Sequence, residues 1–127
     1  WLKVPSQAVG TKCILSMTGS VDMSNNAATS TIEAVVTGSG YTLVSGLVIY
    51  VDGVQYTGEV LSFNTPYHIA YSSPSLIASS IIFGAYSTLT SGFLDAKFAY
   101  IEIHRAGTYT ANGIADLFAV NKTLFGK

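Results

Sequence analysis

Short apolar runs separated by turn residues recur along the chain, and they constrain its fold more than any other feature. The clearest example is LVIYVDGVQYTG at residues 47–58, in which Asp52 and Gly53 separate two apolar runs. An Asp-Gly pair between such runs is typical of a two-residue β-hairpin turn. We therefore predict a hairpin here, with Asp52 and Gly53 as its structural turn.

Similar runs predict further strands at residues 9–21, 31–38, 41–51, 67–72, 76–87 and 96–106. Turn signals about eight to twelve residues apart are typical of antiparallel sandwiches and barrels. Helical spacing is found once, where Ile114, Leu117 and Phe118 follow Thr110, a residue type that caps helix N-termini. The sequence thus predicts an all-β fold, an antiparallel β-sandwich with one short C-terminal helix.

Charged side chains are scarce in this chain. They make up 10% of the residues, while apolar residues make up 49% and the mean hydropathy is +0.43. Since interspersed charge normally keeps a small monomer soluble, we expect an oligomer or larger assembly to cover part of the surface. The strand at 47–51 is apolar on both faces, and either the opposite sheet or another copy of the chain covers its second face.

Several classes of protein are disfavoured. The six Lys and Arg residues are scattered from Lys3 to Lys127 and the net charge is -1, so we predict no nucleic-acid binding. No apolar run approaches the roughly 18 residues of a membrane helix, which predicts no membrane insertion. Cys13 is the only cysteine, and we expect it to be a small buried residue. No cofactor or metal site is predicted.

We expect residues 1–127 to be a single domain. The absence of an initiator Met and the tryptophan at position 1 favour a fragment, or a processed C-terminal part, of a longer chain.

Four pieces of the second half occur in a characteristic order. They are YVDG at 50–53, a strand ending in glycine at 81–84, the alternating Ile101 and Ile103, and the helical pattern at 114–118. In this order they resemble the laminin-G-like or concanavalin-like jelly-roll family, which is found at the C-terminal ends of phage tail fibres and tailspikes. The resemblance implies a lectin-like jelly roll that forms a homotrimer in the virion tail or is otherwise extracellular. No family metal or catalytic residue maps onto this sequence.

A first group of candidate ligand-binding residues is Tyr100, Glu102 and His104. They alternate along the predicted strand at 96–106 and so share one face, while Ile101 and Ile103 take the other. A carboxylate and an imidazole bond sugar hydroxyls, and a phenol ring stacks on a sugar face. An ordinary outer sheet face or a subunit contact is the alternative.

A second candidate group is Tyr67 and Tyr71, which we predict to share a strand face, with His68 opposite. Exposed tyrosines are common in recognition surfaces because each ring combines an apolar face with a polar tip. Packing in the core or in an interface is the alternative.

The seven acidic residues show no spacing that would pair two carboxylates, and no nucleophile or phosphate-loop motif occurs. We therefore predict that the chain is not an enzyme. The leading hypothesis is a non-catalytic carbohydrate- or receptor-binding domain of a phage tail fibre or tailspike, which binds a host cell-surface glycan and contributes to trimerisation. The alternatives are a structural virion or filament subunit without ligand, and a glycan-active enzyme of the same fold.

Overall fold

The computed structural model describes residues 1–5, 12–20, 29–36, 41–45, 47–72, 77–84, 93–103 and 110–127. The strands are β1 (Leu2–Lys3), β2 (Lys12–Ser20), β3 (Thr29–Val36), β4 (Leu43–Ser45), β5 (Val48–Val51), β6 (Val54–Gln55), β7 (Pro66–Tyr67), β8 (Ile69–Ser72), β9 (Ile77–Phe83) and β10 (Lys97–Phe98). Helix α1 spans Ala111–Asn121 and continues into a 3₁₀ helix, Lys122–Phe125. The prediction of a mainly β fold with one short C-terminal helix is confirmed.

The described strands form three antiparallel sheets. The largest has the order β4-β3-β2-β9, the second β6-β5-β8, and the third β10-β1-β7. Strand β2 is bulged between Cys13 and Leu15 and again between Thr18 and Gly19, which increases its local twist. Since β1 lies between β7 and β10, the first residues of the chain join two segments that are distant in sequence.

The Asp-Gly hairpin is present between β5 and β6. Val51 pairs with Val54 across the turn, and φ is 49° at Asp52 and 83° at Gly53. Positive φ at both central residues is the geometry of a type I′ turn, whose twist matches that of the flanking strands. Asp and Gly are the residue types that tolerate this backbone.

Helix α1 packs directly on this hairpin turn. Its first turn is capped by Thr110, whose side-chain oxygen accepts a hydrogen bond of 3.2 Å from the Gly113 amide. A Cβ at Gly53 would lie 3.1 Å from the Cα of Ala115 and 3.3 Å from the Cβ of Phe118. Glycine at position 53 therefore serves two purposes, the positive φ of the turn and the close approach of the helix.

One apolar core serves all three sheets. Its buried members are Leu2, Val4, Ile14, Leu15, Tyr41, Leu43 and Ile49. Half-buried side chains from each sheet pack against it, for example Phe98, Ile69 and Ile81. Cys13 is also buried, as predicted.

Trp1 ties the beginning of the chain to its C-terminal helix. Its side chain is only 7% exposed, and its ring stacks on Phe125 with the centroids 4.1 Å apart. The rings of Phe118 and His68 lie 5.9 and 5.5 Å from it. These four rings form an aromatic cluster between β1, the residue linking β7 to β8, and α1 with its 3₁₀ extension.

The two faces of β5 differ in their environment. Ile49 points into the core and is buried, whereas Val48 is 42% exposed and Tyr50 is half-buried. Val44 on the edge strand β4 is exposed as well. The described residues of a single chain therefore leave the second apolar face of this strand partly open to solvent.

The structure differs from the expected strand at 96–106. Only Lys97–Phe98 forms a strand, residues 99–103 do not, and residues 104–106 lie outside the described residues. The change occurs at Tyr100, whose φ of 55° is incompatible with an extended strand. The alternation of apolar and polar residues therefore continues beyond Phe98 without the backbone of a strand.

Candidate ligand-binding surface

The segment at residues 93–103 runs beside β1 at the edge of the third sheet. Phe98 pairs with Leu2, and beyond this pair the Ala99 amide donates to the Trp1 carbonyl oxygen at 3.0 Å. The Trp1 backbone nitrogen in turn donates to the Tyr100 carbonyl oxygen at 3.2 Å. These two bonds fix the backbone on either side of the Tyr100 α-carbon.

Tyr100 combines an exposed side chain with an unusual backbone. Its side chain is 58% exposed, and its φ is 55°. The other described non-glycine residues with positive φ are Asp52 and Asn64, which are residue types that tolerate this region. A bulky side chain at positive φ is a true outlier, and its cost is typically about 1–3 kcal/mol. Nothing buried requires a tyrosine here, because most of the ring faces solvent.

The residues that follow Tyr100 are also exposed. Ile101, Glu102 and Ile103 are all exposed to solvent, so residues 101–103 have no core face. His104, the third member of the first candidate group, lies outside the described residues. The described members of that group are therefore Tyr100 and Glu102, both exposed, with an isoleucine after each.

Tyr67 lies on β7, where its side chain is half-buried against the core. Its hydroxyl accepts a hydrogen bond from the Ser62 amide at 3.1 Å, and its ring contacts the edge of Tyr41 with the centroids 6.0 Å apart. The ammonium of Lys127 lies 4.3 Å from the Tyr67 ring centroid, which is a cation–π contact. Both the ring and the hydroxyl of Tyr67 thus have partners within the chain.

Tyr71 lies on β8 in a different sheet, and it packs against the same core. Burial raises the pKa of its phenol well above the ordinary value. Its hydroxyl is buried and receives no hydrogen bond from the described residues. The chain therefore places Tyr67 and Tyr71 on two strands of two sheets, and neither accompanies Tyr100 on the exposed segment.

Asp52 does more than shape its turn. One carboxylate oxygen accepts a hydrogen bond from the His68 amide at 2.9 Å, and the other accepts one from the Lys127 ammonium at 2.7 Å. The Asp52 amide donates to the His68 carbonyl oxygen at 2.8 Å. A single side chain thus joins the hairpin, the link between β7 and β8, and the end of the 3₁₀ segment.

His68 lies within the aromatic cluster rather than on an open surface. Burial lowers the pKa of its imidazole, while the carboxylates of Asp52 and Glu102 act in the opposite direction. Its Nδ1 atom is buried and is not hydrogen-bonded to any residue that the structure describes. The fold consequently favours the neutral form of this histidine.

A shallow groove lies between β4 and the β5–β6 hairpin. Leu43, Val44, Val48 and Ile49 form its apolar lining. Tyr56, which also lines it, uses its hydroxyl within the chain, accepting from the Leu43 amide at 3.1 Å and donating to the Glu59 carbonyl oxygen at 2.6 Å. The groove is therefore an apolar surface between two strands.

The third sheet also brings together two lysines that are far apart in the sequence. Lys3 on β1 pairs directly with Lys97 on β10, and both side chains are exposed. Sequence reasoning missed this pair because no local pattern reveals which distant strands become neighbours. The only signal available was the presence of a lysine in each of two segments with apolar neighbours.

Among the described residues, no group of three or more His, Cys, Asp or Glu side chains is arranged to hold a metal ion. None of the helices in the described ranges is long and apolar enough to cross a membrane. No family model, curated protein or solved structure matches this chain.

Proposed function

We propose that this chain is a non-catalytic carbohydrate- or receptor-binding domain that works as a homotrimer, of the kind found at the ends of phage tail fibres and tailspikes. Its ligand is a host cell-surface glycan, and its place is the virion tail or another extracellular surface. Its three sheets form a jelly-roll β-sandwich. The observation that carries the proposal is Tyr100, an exposed tyrosine held in a strained backbone.

Backbone strain at an exposed aromatic residue supports a binding role. Strained residues persist only where surrounding contacts fix them, and they cluster at functional sites. The contacts that fix Tyr100 are the hydrogen bonds between Trp1 and residues 99–100. A ring presented in this way offers a flat apolar face to a sugar, and Glu102 offers an acceptor for sugar hydroxyls two residues away.

The shared core supports the sandwich. Side chains from the four-stranded sheet and from both three-stranded sheets pack against one buried cluster. Antiparallel sheets that enclose a common core are the basis of sandwich folds.

Exposed apolar side chains support the trimer. Val44 on the edge strand β4 and Val48 on β5 expose apolar surface in a chain with only 10% charged residues. A threefold arrangement covers the same patch on every copy. It also presents several identical glycan sites, so that weak binding at each one becomes strong overall.

The first test is the mass of the purified chain by light scattering. A mass three times 13.4 kDa agrees with the proposal, whereas a soluble monomer contradicts the trimer. The second test is binding to a glycan array with the original chain and with Tyr100→Ala. Leu124→Ala is the matched control, because Leu124 is 75% exposed and lies on the 3₁₀ helix.

We expect Tyr100→Ala to reduce glycan binding about tenfold, since truncating an aromatic side chain that carries binding typically costs more than about 1 kcal/mol. Leu124→Ala should leave binding unchanged. Equal binding by all three proteins would remove Tyr100 from the site, and an array without any retained glycan would refute the binding function.

A second candidate is a structural virion or filament subunit that assembles without a ligand. The exposure of Ile101 and Ile103 beside Tyr100 favours it, because a neighbouring copy would bury all three side chains. Ile103→Ser distinguishes the two functions. It dissociates the assembly if this segment is a subunit contact, and it leaves the mass unchanged if the segment faces a ligand.

A further inference from the structure

The pairing of β1 with β10 places two positive charges side by side on the outer face of the third sheet. Leu2 pairs with Phe98, and the next pair is Lys3 with Lys97. Leu2 is buried and Phe98 packs against the core, so the adjacent lysines point away from it, and both are exposed. Side chains directly opposite each other on antiparallel strands have Cβ atoms about 4.5–5.5 Å apart.

This arrangement is unfavourable in the chain alone. Like charges directly opposite each other on neighbouring strands destabilise a sheet. Within the described ranges neither lysine forms an ion pair, whereas Lys127 pairs with Asp52. The nearest acidic residue in sequence is Asp95, which is exposed two positions before Lys97. Two ammonium groups and one carboxylate leave a local positive charge.

The lysine pair is notable because the chain has so few cations. Its sequence contains only six Lys and Arg residues, and the fold sets two of them opposite each other. Where a chain breaks a local rule of stability without a visible structural gain, the position is a candidate for function. Two ammonium groups at this spacing bind one anionic group between them through charge-assisted hydrogen bonds.

Exposed aromatic rings flank the lysine pair along the chain. Exposed and half-buried residues alternate from 93 to 99, and Phe93, Asp95 and Lys97 are among the exposed ones. Phe93 and Tyr100 are each 58% exposed. An anion site with exposed aromatic rings close to it in the sequence suits a saccharide that carries a charged group on an otherwise neutral sugar chain.

We infer that Lys3 and Lys97 bind the anionic group of an acidic saccharide, a carboxylate or a sulfate. This inference rests on the proposed glycan-binding function and specifies the class of glycan. Binding involves no covalent step, since the two ammonium groups act only as donors. It is expected to weaken with added salt, because exposed charges are screened over about 8–10 Å at physiological ionic strength.

The test compares saccharides that differ only in charge. The probes are oligogalacturonate and its methyl ester, sialyllactose and its methyl ester, and a sulfated lactose and lactose, with free sulfate as a competitor. The proteins are the original chain, Lys3→Ala, Lys97→Ala and Lys122→Ala. Lys122 is an exposed lysine on the 3₁₀ helix, so its variant controls for the loss of one positive charge elsewhere.

We expect the acidic member of at least one probe pair to bind more tightly than its neutral counterpart. Lys3→Ala and Lys97→Ala should each weaken that binding about fivefold, and Lys122→Ala should not. Asp95→Asn should strengthen it, because the competing carboxylate is removed. The pair of probes that shows this difference tells whether the anion is a carboxylate or a sulfate. Competition by free sulfate alone shows how much of the affinity comes from the charge.

Two results would overturn the inference, and they differ in what they say about the proposed function. Equal binding to charged and neutral probes, unaffected by the lysine variants, overturns the inference while the glycan-binding function stands. No binding to any of these probes, together with no retention on the glycan array, overturns both. Circular dichroism of each variant confirms that a loss of binding does not come from unfolding.

Discussion

Replacing Gly53 with alanine tests how closely helix α1 packs on the hairpin turn. The new Cβ would lie 3.1 Å from the Cα of Ala115, a backbone atom that moves only if the helix moves. An alanine at φ 83° also carries left-handed strain, a net cost of about 1 kcal/mol once the smaller entropy of the unfolded chain is included. Overpacking adds about 1–3 kcal/mol. We therefore expect Gly53→Ala to lower the free energy of unfolding by about 2–4 kcal/mol.

The matched control is Gly84→Ala. Gly84 has a similar φ of 76°, but the nearest atoms to its Cβ position are 3.9 Å away, which is ordinary contact. Its loss should therefore be the strain alone, about 1 kcal/mol. Urea denaturation followed by circular dichroism at one protein concentration measures both variants, and Gly53→Ala should also lower the Tm by roughly 10 °C. Equal losses in the two variants would show that the helix does not approach the turn as described.

Further predictions concern the charged and strained residues. Asp52→Asn and Lys127→Met should each lower the free energy of unfolding by about 1 kcal/mol, because their ion pair is partly shielded from solvent, with the side chains 23% and 22% exposed. In urea denaturation the double variant should be no less stable than either single variant. Tyr100→Asn should raise the free energy of unfolding by about 1 kcal/mol, because asparagine tolerates positive φ, and an unchanged Tm in thermal denaturation would contradict the strain. The same variant should weaken binding on the glycan array, because it lacks the aromatic ring. Because the pKa of His68 is lowered by folding, the unfolded chain takes up a proton near pH 6.5 more readily than the folded chain does. The free energy of unfolding should therefore be highest above that pH and decline as the pH falls below it. His68→Phe should flatten this decline below about pH 6.5 in denaturation curves, and an unaltered slope would rule out His68 as its source.

The parts of the fold that could be predicted from the sequence are those that local chemistry determines. The hairpin follows from the backbone preferences of Asp52 and Gly53, and the helix follows from the cap at Thr110 and the buried Ile114. Both signals lie within a few residues of the structure that they specify. Neither depends on which distant strands become neighbours.

The parts that could not be predicted depend on long-range pairing. Periodicity suggested one long strand at 96–106, but hydrogen bonds to Trp1 and the positive φ of Tyr100 end the regular backbone after Phe98. The expected shared face of Tyr67 and Tyr71 assumed one continuous strand. Instead, the Asp52 carboxylate accepts a hydrogen bond from the backbone of His68, and the two tyrosines belong to separate sheets. The lysine pair is likewise visible only once the register of β1 and β10 is known.

The stacking of Trp1 on Phe125 has a consequence for the rate at which the protein unfolds. The two rings are 4.1 Å apart, and their contact closes a loop that spans residues 1–125. Long loops cost the most entropy to close, so contacts of this kind tend to form after the transition state for folding. Trp1→Ala should therefore speed unfolding far more than it slows refolding. We therefore expect the contact between Trp1 and Phe125 to prolong the lifetime of the folded state once it has formed.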